Sequence, residues 1–291
     1  MDDHRTDVPV LPPGSNVELG DRGSTYVRQA EGPPGAPALL LLHGLAATAD
    51  LNWFACFDAL SESFRVLAPD LRGHGGSVRA TRFDLEQCAD DIAALIDALD
   101  LGPVIAVGYS MGGFVAQLLW RLHRMCVSGL VLCATATRVD GNRHWLTYQT
   151  LGAATTTLRF VPSALRPNAD LIGERLFGTI SDQALRSWAR RQMRRNDLVT
   201  VFSAMEAVVR FSSTEWASAI DVPTAVLIPE SDHVVPVERQ RELADAIPAA
   251  SVYTVEGDHG VCVTAPASFV PVLATACRNV ADRAEGASSR I

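Results

Sequence analysis

The sequence contains no lysine, since all 25 of its basic residues are arginine. A Walker A phosphate loop, the ATP-binding lysine of a protein kinase, a Schiff-base aldolase and a pyridoxal-phosphate enzyme all need a lysine amine. Those four classes are therefore excluded. The net charge of −8 also disfavours general nucleic-acid binding, which depends on a positive field that displaces counterions. We therefore expect no nucleic-acid partner.

Long apolar runs are also lacking, although a transmembrane helix needs about 20 consecutive apolar residues. The first residues are acidic and polar, without a basic stretch followed by an apolar one, so no signal peptide is expected. At 291 residues, with 48% hydrophobic and 20% charged residues, the composition is typical of a globular protein. These observations predict a cytoplasmic protein.

The six cysteines form no C-x-x-C pair, and none lies near a histidine at zinc-finger spacing. The metalloprotease pattern H-E-x-x-H is absent as well. Most of the cysteines lie in apolar stretches and are expected in the core. The sequence therefore predicts no metal site and no cofactor.

Short, unbroken apolar runs recur along the chain and are typical of strands that are buried on both faces of a parallel sheet. These runs are 39–42, 66–68, 104–107, 130–132, 225–228 and 252–255. Two further edge strands are predicted around 17–19 and 26–28. Helical patterns lie between the runs, so the predicted fold class is α/β, with a mostly parallel central sheet flanked by helices.

Two helices are clear in the pattern. The first follows Asp84, a predicted N-cap with Gln87 closing the capping box, and carries an apolar stripe to Leu99. The second follows Ser110 and carries an apolar stripe to Leu122. The acids expected in solvent on the first helix are Asp90, Asp91 and Asp97.

The strand spacing breaks after the sixth predicted strand, where a long, mostly helical segment predicts an inserted cap. The predicted organisation is a first core part at 1–135, a cap at 136–219 and a second core part at 220–291. The cap segment up to Trp216 holds eleven arginines against seven acids. The favoured interpretation is a solvated face of a lid helix. The alternative is weak contact with a membrane surface or an anionic substrate.

Two features of the cap are specific. Five arginines cluster on one predicted helix near Trp188, namely Arg186, Arg190, Arg191, Arg194 and Arg195. A second predicted helix carries an apolar stripe from Leu198 to Val209, which either packs on the core or lines an acyl pocket.

The strongest chemical signal is Gly108-Tyr109-Ser110-Met111-Gly112, between a predicted strand and a predicted helix. A serine is a useful nucleophile only when it is presented openly to a base, and a sharp strand-to-helix turn does this. That turn crowds the positions two before and two after the serine, which are both glycine here. Ser110 is therefore the predicted nucleophile.

A second signal is His43-Gly44-Leu45, at the end of an earlier strand. A tight turn there can direct the Leu45 backbone N–H towards a developing oxyanion, with the Met111 N–H as the second donor. His43 lies in this turn of backbone donors and comes before the nucleophile in the sequence. It is therefore expected to brace the loop rather than to act as a base.

The acid and the base should follow the nucleophile in that order. Asp232 and His259 each follow a predicted strand, at the sheet edge where open α/β sheets place their sites. Both have close rivals, since Glu230 and Asp258 are alternative acids and His233 is an alternative base. The expected set is Asp232 as acid and His259 as base.

With these residues the sequence resembles the α/β-hydrolase fold superfamily, in its serine-nucleophile branch, over nearly the whole chain outside the cap and the ends. The resemblance rests on His43-Gly44, the run from Asp70 to Ser77, the elbow around Ser110, and the two loops of the acid and the base. It implies a triad of Ser110, Asp232 and His259, and a structural rather than catalytic role for His74. Pro229 departs from the family pattern, which often has glycine there, and puts Asp232 in competition with Glu230.

The resemblance implies a serine hydrolase that cleaves carboxylic esters with an apolar acyl or alcohol part, with a small-molecule ester as its partner. An acyltransferase or thioesterase acting on acyl-CoA-like substrates, a carbon–carbon bond hydrolase, a perhydrolase and a ligand receptor built on the hydrolase fold stay open at this point. The sequence leaves the oligomeric state open.

Overall fold

The central feature of the protein is one twisted sheet, seen in a computed structural model that describes residues 9–79, 83–139, 180 and 182–288. Within these residues, eight strands lie in the order β1-β2-β4-β3-β5-β6-β7-β8. The strands are β1 (Gly14–Glu18), β2 (Ser24–Ala30), β3 (Ala38–Leu42), β4 (Arg65–Pro69), β5 (Val104–Tyr109), β6 (Val127–Cys133), β7 (Thr224–Pro229) and β8 (Ser251–Val255). Strand β2 runs antiparallel to β1 and β4, and the remaining pairs are parallel. The predicted α/β fold with a mostly parallel sheet is confirmed.

Helices cover both faces of this sheet. Those in the described ranges are α1 (Ala49–Trp53), α2 (Phe57–Ser61), α3 (Leu85–Ala98), α4 (Met111–Leu122), α5 (Gln183–Met193), α6 (Leu198–Arg210), α7 (Val237–Ala246), α8 (Val261–Thr264) and α9 (Pro266–Ser288). Helices α3, α4 and α7 pack on one face, and α1, α2 and α9 pack on the other. Each face thus has its own apolar core, as unbroken apolar strands require.

The predicted N-cap of α3 is confirmed, since the Asp84 carboxylate accepts hydrogen bonds from the backbone N–H groups of Glu86 and Gln87 at 3.0 and 3.3 Å. Closure of the capping box by the Gln87 side chain stays a prediction. The expectation that Asp91 faces solvent is wrong. Asp91 is buried and receives hydrogen bonds from the guanidinium groups of Arg22 and Arg72, each at 2.6 Å. A carboxylate with two charged partners can be buried, and helical periodicity alone does not show those partners.

The segment between β6 and β7 holds α5 and α6, while residues 140–179 of the predicted cap lie outside the described residues. The cap boundaries therefore stay a prediction. The five clustered arginines do not share one helix, because α5 ends at Met193 and Arg194 and Arg195 follow it. The apolar stripe of α6 packs on the core through Val201, while Met205 lines a cavity. Use of that cavity as an acyl pocket stays a prediction.

The cysteines are unpaired, and all but the half-buried Cys126 are buried. They therefore act mainly as small apolar core residues, as predicted. In the parts of the chain that the structure describes, no helix is both long and apolar enough to cross a bilayer.

Candidate active site

Ser110 lies at the turn between β5 and α4, with backbone angles φ 52° and ψ −115°. A positive φ strains a residue with a side chain by about 1–3 kcal/mol, and such strain persists only where the surroundings enforce it. Two hydrogen bonds do so here. The Ser110 N–H donates to the Cys133 carbonyl at 2.8 Å, and the Ser110 carbonyl accepts from the Gly113 N–H at 2.9 Å.

The glycines two residues before and two residues after Ser110 are required by space. A Cβ on Gly108 would lie 2.4 Å from the Gly112 carbonyl oxygen. A Cβ on Gly112 would lie 2.1 Å from the Leu42 carbonyl oxygen. Both distances are far inside van der Waals contact, so the crowding inferred from the G-x-S-x-G pattern is present in the fold.

The three residues predicted as nucleophile, base and acid form one chain of hydrogen bonds. His259 Nε2 lies 3.0 Å from Ser110 Oγ, and His259 Nδ1 lies 2.8 Å from Asp232 Oδ2. The Asp232 side chain is completely buried, and that of His259 is 12% exposed. The other carboxylate oxygen, Oδ1, accepts the N–H groups of Val234 and Val235, each at 2.9 Å.

Two further residues hold this chain in place and were missed by the sequence reasoning. Gln240 Nε2 donates to Asp232 Oδ2 at 2.9 Å and to the Val235 carbonyl at 2.8 Å. The Tyr109 hydroxyl donates to the His259 carbonyl at 2.8 Å, and the two rings meet edge to face. The sequence offered one sign of each residue: Gln240 is a polar residue on the buried face of α7, and Tyr109 is the neighbour of Ser110. Neither sign forms a recognisable motif.

The rival acids and base are placed elsewhere. Glu230 and His233 are exposed, and Asp258 uses its carboxylate to accept the Gly260 N–H at 2.8 Å. Pro229 stays within β7 and is paired with Val255 of β8. Its departure from the family pattern therefore leaves the strand end intact, and the structure brings Asp232 rather than Glu230 to the imidazole.

The predicted oxyanion loop forms a tight turn in which the Ala47 N–H donates to the Gly44 carbonyl at 3.3 Å. The Gly44 N–H is taken by Asn52 Oδ1 at 2.9 Å, and the Ala46 N–H by His74 Nε2 at 3.3 Å. The Leu45 N–H between them has no partner among the described residues. A Cβ on Gly44 would lie 3.5 Å from Ser110 Cβ, so the turn lies against the elbow. Met111 is the first residue of α4, where helix N–H groups lack helical partners.

His43 and His74 are completely buried supports of these loops. His43 Nε2 accepts the Leu71 N–H at 2.9 Å, while its Nδ1 lies 2.8 Å from the Gly44 carbonyl. Burial lowers the pKa of His43 to about 4 and the pKa of His74 to about 3, so both are neutral at pH 7. Their hydrogen bonds fix loop backbone, as expected for His43 and as the resemblance implied for His74.

A cavity of about 780 Å³ opens over Ser110. It lies between the loops that carry Leu45, Ser110 and His259 and helix α6 of the segment between β6 and β7. The described lining residues are Gly44, Leu45, Ala46, Ala47, Leu51, Asn52, Tyr109, Ser110, Met111, Phe114, Val139, Met205, Val208, Val209, Val234, Val235, His259, Gly260, Cys262 and Val263. Most of these side chains are apolar, and among them none is an acid, an arginine or a lysine. Burial raises the pKa of the Cys262 thiol to about 12, so this cysteine is not a second nucleophile.

Comparison with known proteins gives the family. The family model of the alpha/beta hydrolase fold matches residues 37–266. A proline iminopeptidase, PfmaB of Pestalotiopsis fici, is 29% identical over 80% of this chain and 88% of its own. A poly(3-hydroxyalkanoate) depolymerase of Ectopseudomonas oleovorans is 28% identical over 88% of this chain and 89% of its own. The solved structure of a thermophilic esterase from Thermogutta terrifontis covers 92% of this chain and 99% of its own, with a TM-score of 0.75 and 24% identity.

The match extends from the start of β3 to the loop after the candidate base, so it includes all the loops described above. The protein therefore belongs to the alpha/beta hydrolase fold family, and with it to a family of hydrolases.

Proposed function

We propose that the protein is a serine hydrolase that cleaves carboxylic esters with an apolar acyl or alcohol part. The observation that carries this proposal is the continuous hydrogen-bond chain from Asp232 through His259 to Ser110, ending in an apolar cavity. This arrangement supplies a nucleophile, a base and an orienting acid in one place. The proposed reaction requires no metal and no cofactor, because side chains and backbone N–H groups carry every step.

In the proposed reaction, Ser110 Oγ attacks the ester carbonyl carbon as its proton moves to His259 Nε2. Asp232 keeps the imidazole in the tautomer with hydrogen on Nδ1 and stabilises its charged form. The tetrahedral oxyanion is held by the backbone N–H groups of Leu45 and Met111. Its collapse releases the alcohol, which takes the proton from His259.

Water then attacks the acyl-enzyme and loses a proton to the same imidazole nitrogen. Breakdown of the second tetrahedral intermediate releases the carboxylic acid and returns that proton to Ser110 Oγ. An acyltransferase would share the first half and replace water with an alcohol or a thiol.

The lining of the cavity supports an uncharged substrate. One relative is a proline iminopeptidase, and a substrate with a free amino terminus would bring a positive charge. The described lining residues offer no carboxylate for that charge. Another relative is a poly(3-hydroxyalkanoate) depolymerase, and its polymer is an apolar polyester. Among these two chemistries the apolar lining favours ester cleavage.

The second candidate is a thioesterase or acyltransferase acting on acyl-CoA, in which the cap arginines would bind phosphates. Internal partners are seen for Arg186 and Arg195. Arg186 donates to the Ile180 carbonyl, and Arg195 lies 3.5 Å from Asp70 and 3.6 Å from Asp50. The arginine cluster thus supports anion binding less than its composition suggested, and ester cleavage stays the first proposal.

The test is a series of p-nitrophenyl esters with increasing acyl length, run beside acyl-CoA thioesters. We expect ester turnover and labelling of Ser110 by a fluorophosphonate. The Ser110→Ala variant should lose several powers of ten in kcat, on the order of 10⁶ as in subtilisin, with its fold intact by circular dichroism.

Dialysis against EDTA should leave the activity unchanged. Substantial ester turnover by pure Ser110→Ala protein would refute the proposed nucleophile. Slow turnover together with ligand-dependent binding of a protein partner would instead favour a receptor that uses the same cavity.

A further inference from the structure

Asn196 joins two parts of the chain: the described residues 182–219 between β6 and β7, here called the insertion, and the turn that carries the proposed oxyanion donor. It lies between α5 and α6 and is only 6% exposed. Its Nδ2 donates to the Ala46 carbonyl at 2.7 Å and to the Ala47 carbonyl at 3.3 Å. Its Oδ1 accepts the Gly75 N–H at 2.9 Å. Because both ends of the side-chain amide are used, its orientation is fixed.

The turn that Asn196 contacts is strained. Ala46 has a φ of 59°, a left-handed conformation that costs a residue with a Cβ about 1–3 kcal/mol. From the other side, His74 accepts the N–H of the same residue. Ala46 is therefore held through its N–H by the core and through its carbonyl by the insertion. Leu45, whose N–H has no partner among the residues that the structure describes, directly precedes it.

We propose that Asn196 is a positioning residue that sets the direction of the Leu45 N–H towards the oxyanion, and so makes the oxyanion site depend on a docked insertion. This inference rests on the proposed function. The turn has three hydrogen-bonded N–H groups and a strained residue, so a change at the Ala46 carbonyl rotates the neighbouring peptide groups. A donor displaced by about 1 Å from its productive place costs on the order of a hundredfold in rate.

A second contact keeps the same segment docked without touching the turn. The Arg195 guanidinium lies within 4 Å of the buried carboxylates of Asp50 and Asp70, as stated above. Removing the Asn196 amide therefore leaves the segment attached through Arg195. This makes the role of the amide separable from the docking of the insertion.

The experiment compares Asn196→Asp, Asn196→Ala and Arg195→Met with the wild-type protein. Asn196→Asp keeps the shape of the side chain but faces two carbonyl oxygens with a carboxylate, and Asn196→Ala removes the polar group. Turnover of p-nitrophenyl butyrate is measured per active site, with sites counted by complete titration with a fluorophosphonate. Because kcat is calculated per titrated site, a smaller amount of folded protein in a variant does not lower it.

We expect both Asn196 variants to lose about tenfold to a hundredfold in kcat per titrated site, with KM changed by less than about threefold, because the oxyanion forms only in the transition state. The affinity for phenylboronic acid, which forms a tetrahedral anionic adduct with a serine, should fall by the same factor. Arg195→Met should lose less than about threefold in kcat, because Asp50 keeps its bonds from Arg28 and Asp70 keeps two backbone N–H donors. Asn279→Ala is the matched control, since Asn279 is also shielded from solvent and hydrogen-bonded, but its partner Ser251 belongs to β8 and not to the turn.

A kcat per titrated site within twofold of wild type in both Asn196 variants would overturn the inference and leave the proposed function standing. An equal loss in Arg195→Met would also overturn it, because docking of the insertion and not the amide would then set the turn. If the wild-type protein neither cleaves esters nor labels at Ser110, the proposed function fails and this inference fails with it.

Discussion

At the scale of single residues, the buried carboxylate of Asp232 depends on its neighbours. It accepts hydrogen bonds from two backbone N–H groups, from Gln240 and from the imidazole of His259. A buried carboxylate is stable only when its oxygens are satisfied in this way. The order and spacing of motifs predicted which acid reaches His259. They did not predict Gln240, because its contact depends on how α7 packs beneath the loop.

Substitution of Asp232 and of its rival Glu230 tests which of the two acids contacts His259. Asp232→Asn should lower kcat by about 10⁴, since an amide at this place favours the wrong imidazole tautomer. Glu230→Gln, two residues earlier and exposed, should change kcat by less than about threefold. The measurement is kcat for one short-chain ester from pH 5 to 9, for both single variants.

The pH range also reports on the base, because acylation requires a neutral imidazole and kcat/KM should therefore rise as His259 loses its proton. A large loss of kcat in Glu230→Gln, with kcat of Asp232→Asn close to wild type, would show that Glu230 and not Asp232 contacts the imidazole in solution. Ser110 and His259 would keep their assigned roles in that case.

At the scale of elements, the loops after β3 and β4 are fixed by buried, neutral histidines. His43 and His74 have pKa values of about 4 and about 3, below the ordinary value of about 6.5 for an unfolded chain. Between about pH 6.5 and the lowered pKa of each histidine, the imidazole is protonated in the unfolded state but neutral in the folded state. Stability is therefore fully present above about pH 6.5 and falls as the pH drops towards 4, by at most about 1.4 kcal/mol per pH unit for each histidine.

The expected result is a free energy of unfolding, from urea titrations, that decreases between pH 7 and pH 5. Asp70 has the opposite effect on the free energy of unfolding, because burial raises the pKa of its carboxyl and acidification therefore favours the folded state at this residue. The informative comparison is therefore His43→Asn, which should be less stable at pH 7 but should lose less stability on acidification. His233→Asn is the control, since it makes the same replacement at an exposed histidine outside the two loops. A His43→Asn protein with the wild-type slope would contradict the assignment.

The elements themselves were largely predictable, and the exceptions have physical causes. Unbroken apolar runs predicted the central strands because both faces of the sheet are covered. Strand β8 departs from this rule, with Val252 54% exposed, because it is the last strand of the sheet. Asp91 was misplaced because its arginine partners lie on distant segments. Local pattern therefore predicts an element and its caps, while contacts between distant segments decide which polar residues are buried.

At the scale of the whole molecule, the proposed substrate site also depends on contacts between distant segments, which local sequence pattern does not predict. Motif order predicted the three residues of the hydrogen-bond chain, because each follows a strand at the same edge of the sheet. The cavity above them could not be predicted, since its wall combines core loops with side chains of α6 from the insertion. Its size and the absence of acids and arginines from its described lining follow from packing between segments that are far apart in the sequence. The substrate class therefore rests on the shape of the assembled molecule.

Narrowing the cavity from the insertion side tests whether it holds the apolar part of the substrate. Val208 lies on α6, is half-buried and lines the cavity. In Val208→Phe, kcat/KM for p-nitrophenyl octanoate should fall at least about tenfold while that for the acetate changes less than about threefold, because a pocket discriminates by about 1–3 kcal/mol for each group it excludes. If the cavity holds the alcohol part instead, the loss should follow the size of the alcohol in a series of alkyl acetates.

The matched control is Val252→Phe, because Val252 has the same side chain but is exposed on β8 and does not line the cavity. It should leave the whole ester profile unchanged. An equal fall for octanoate and acetate in Val208→Phe, with no dependence on the alcohol, would contradict substrate binding in this cavity. A selective fall would show that the insertion and the core bind the substrate together, since the substituted side chain belongs to the insertion and the attacked bond lies at Ser110 on the core.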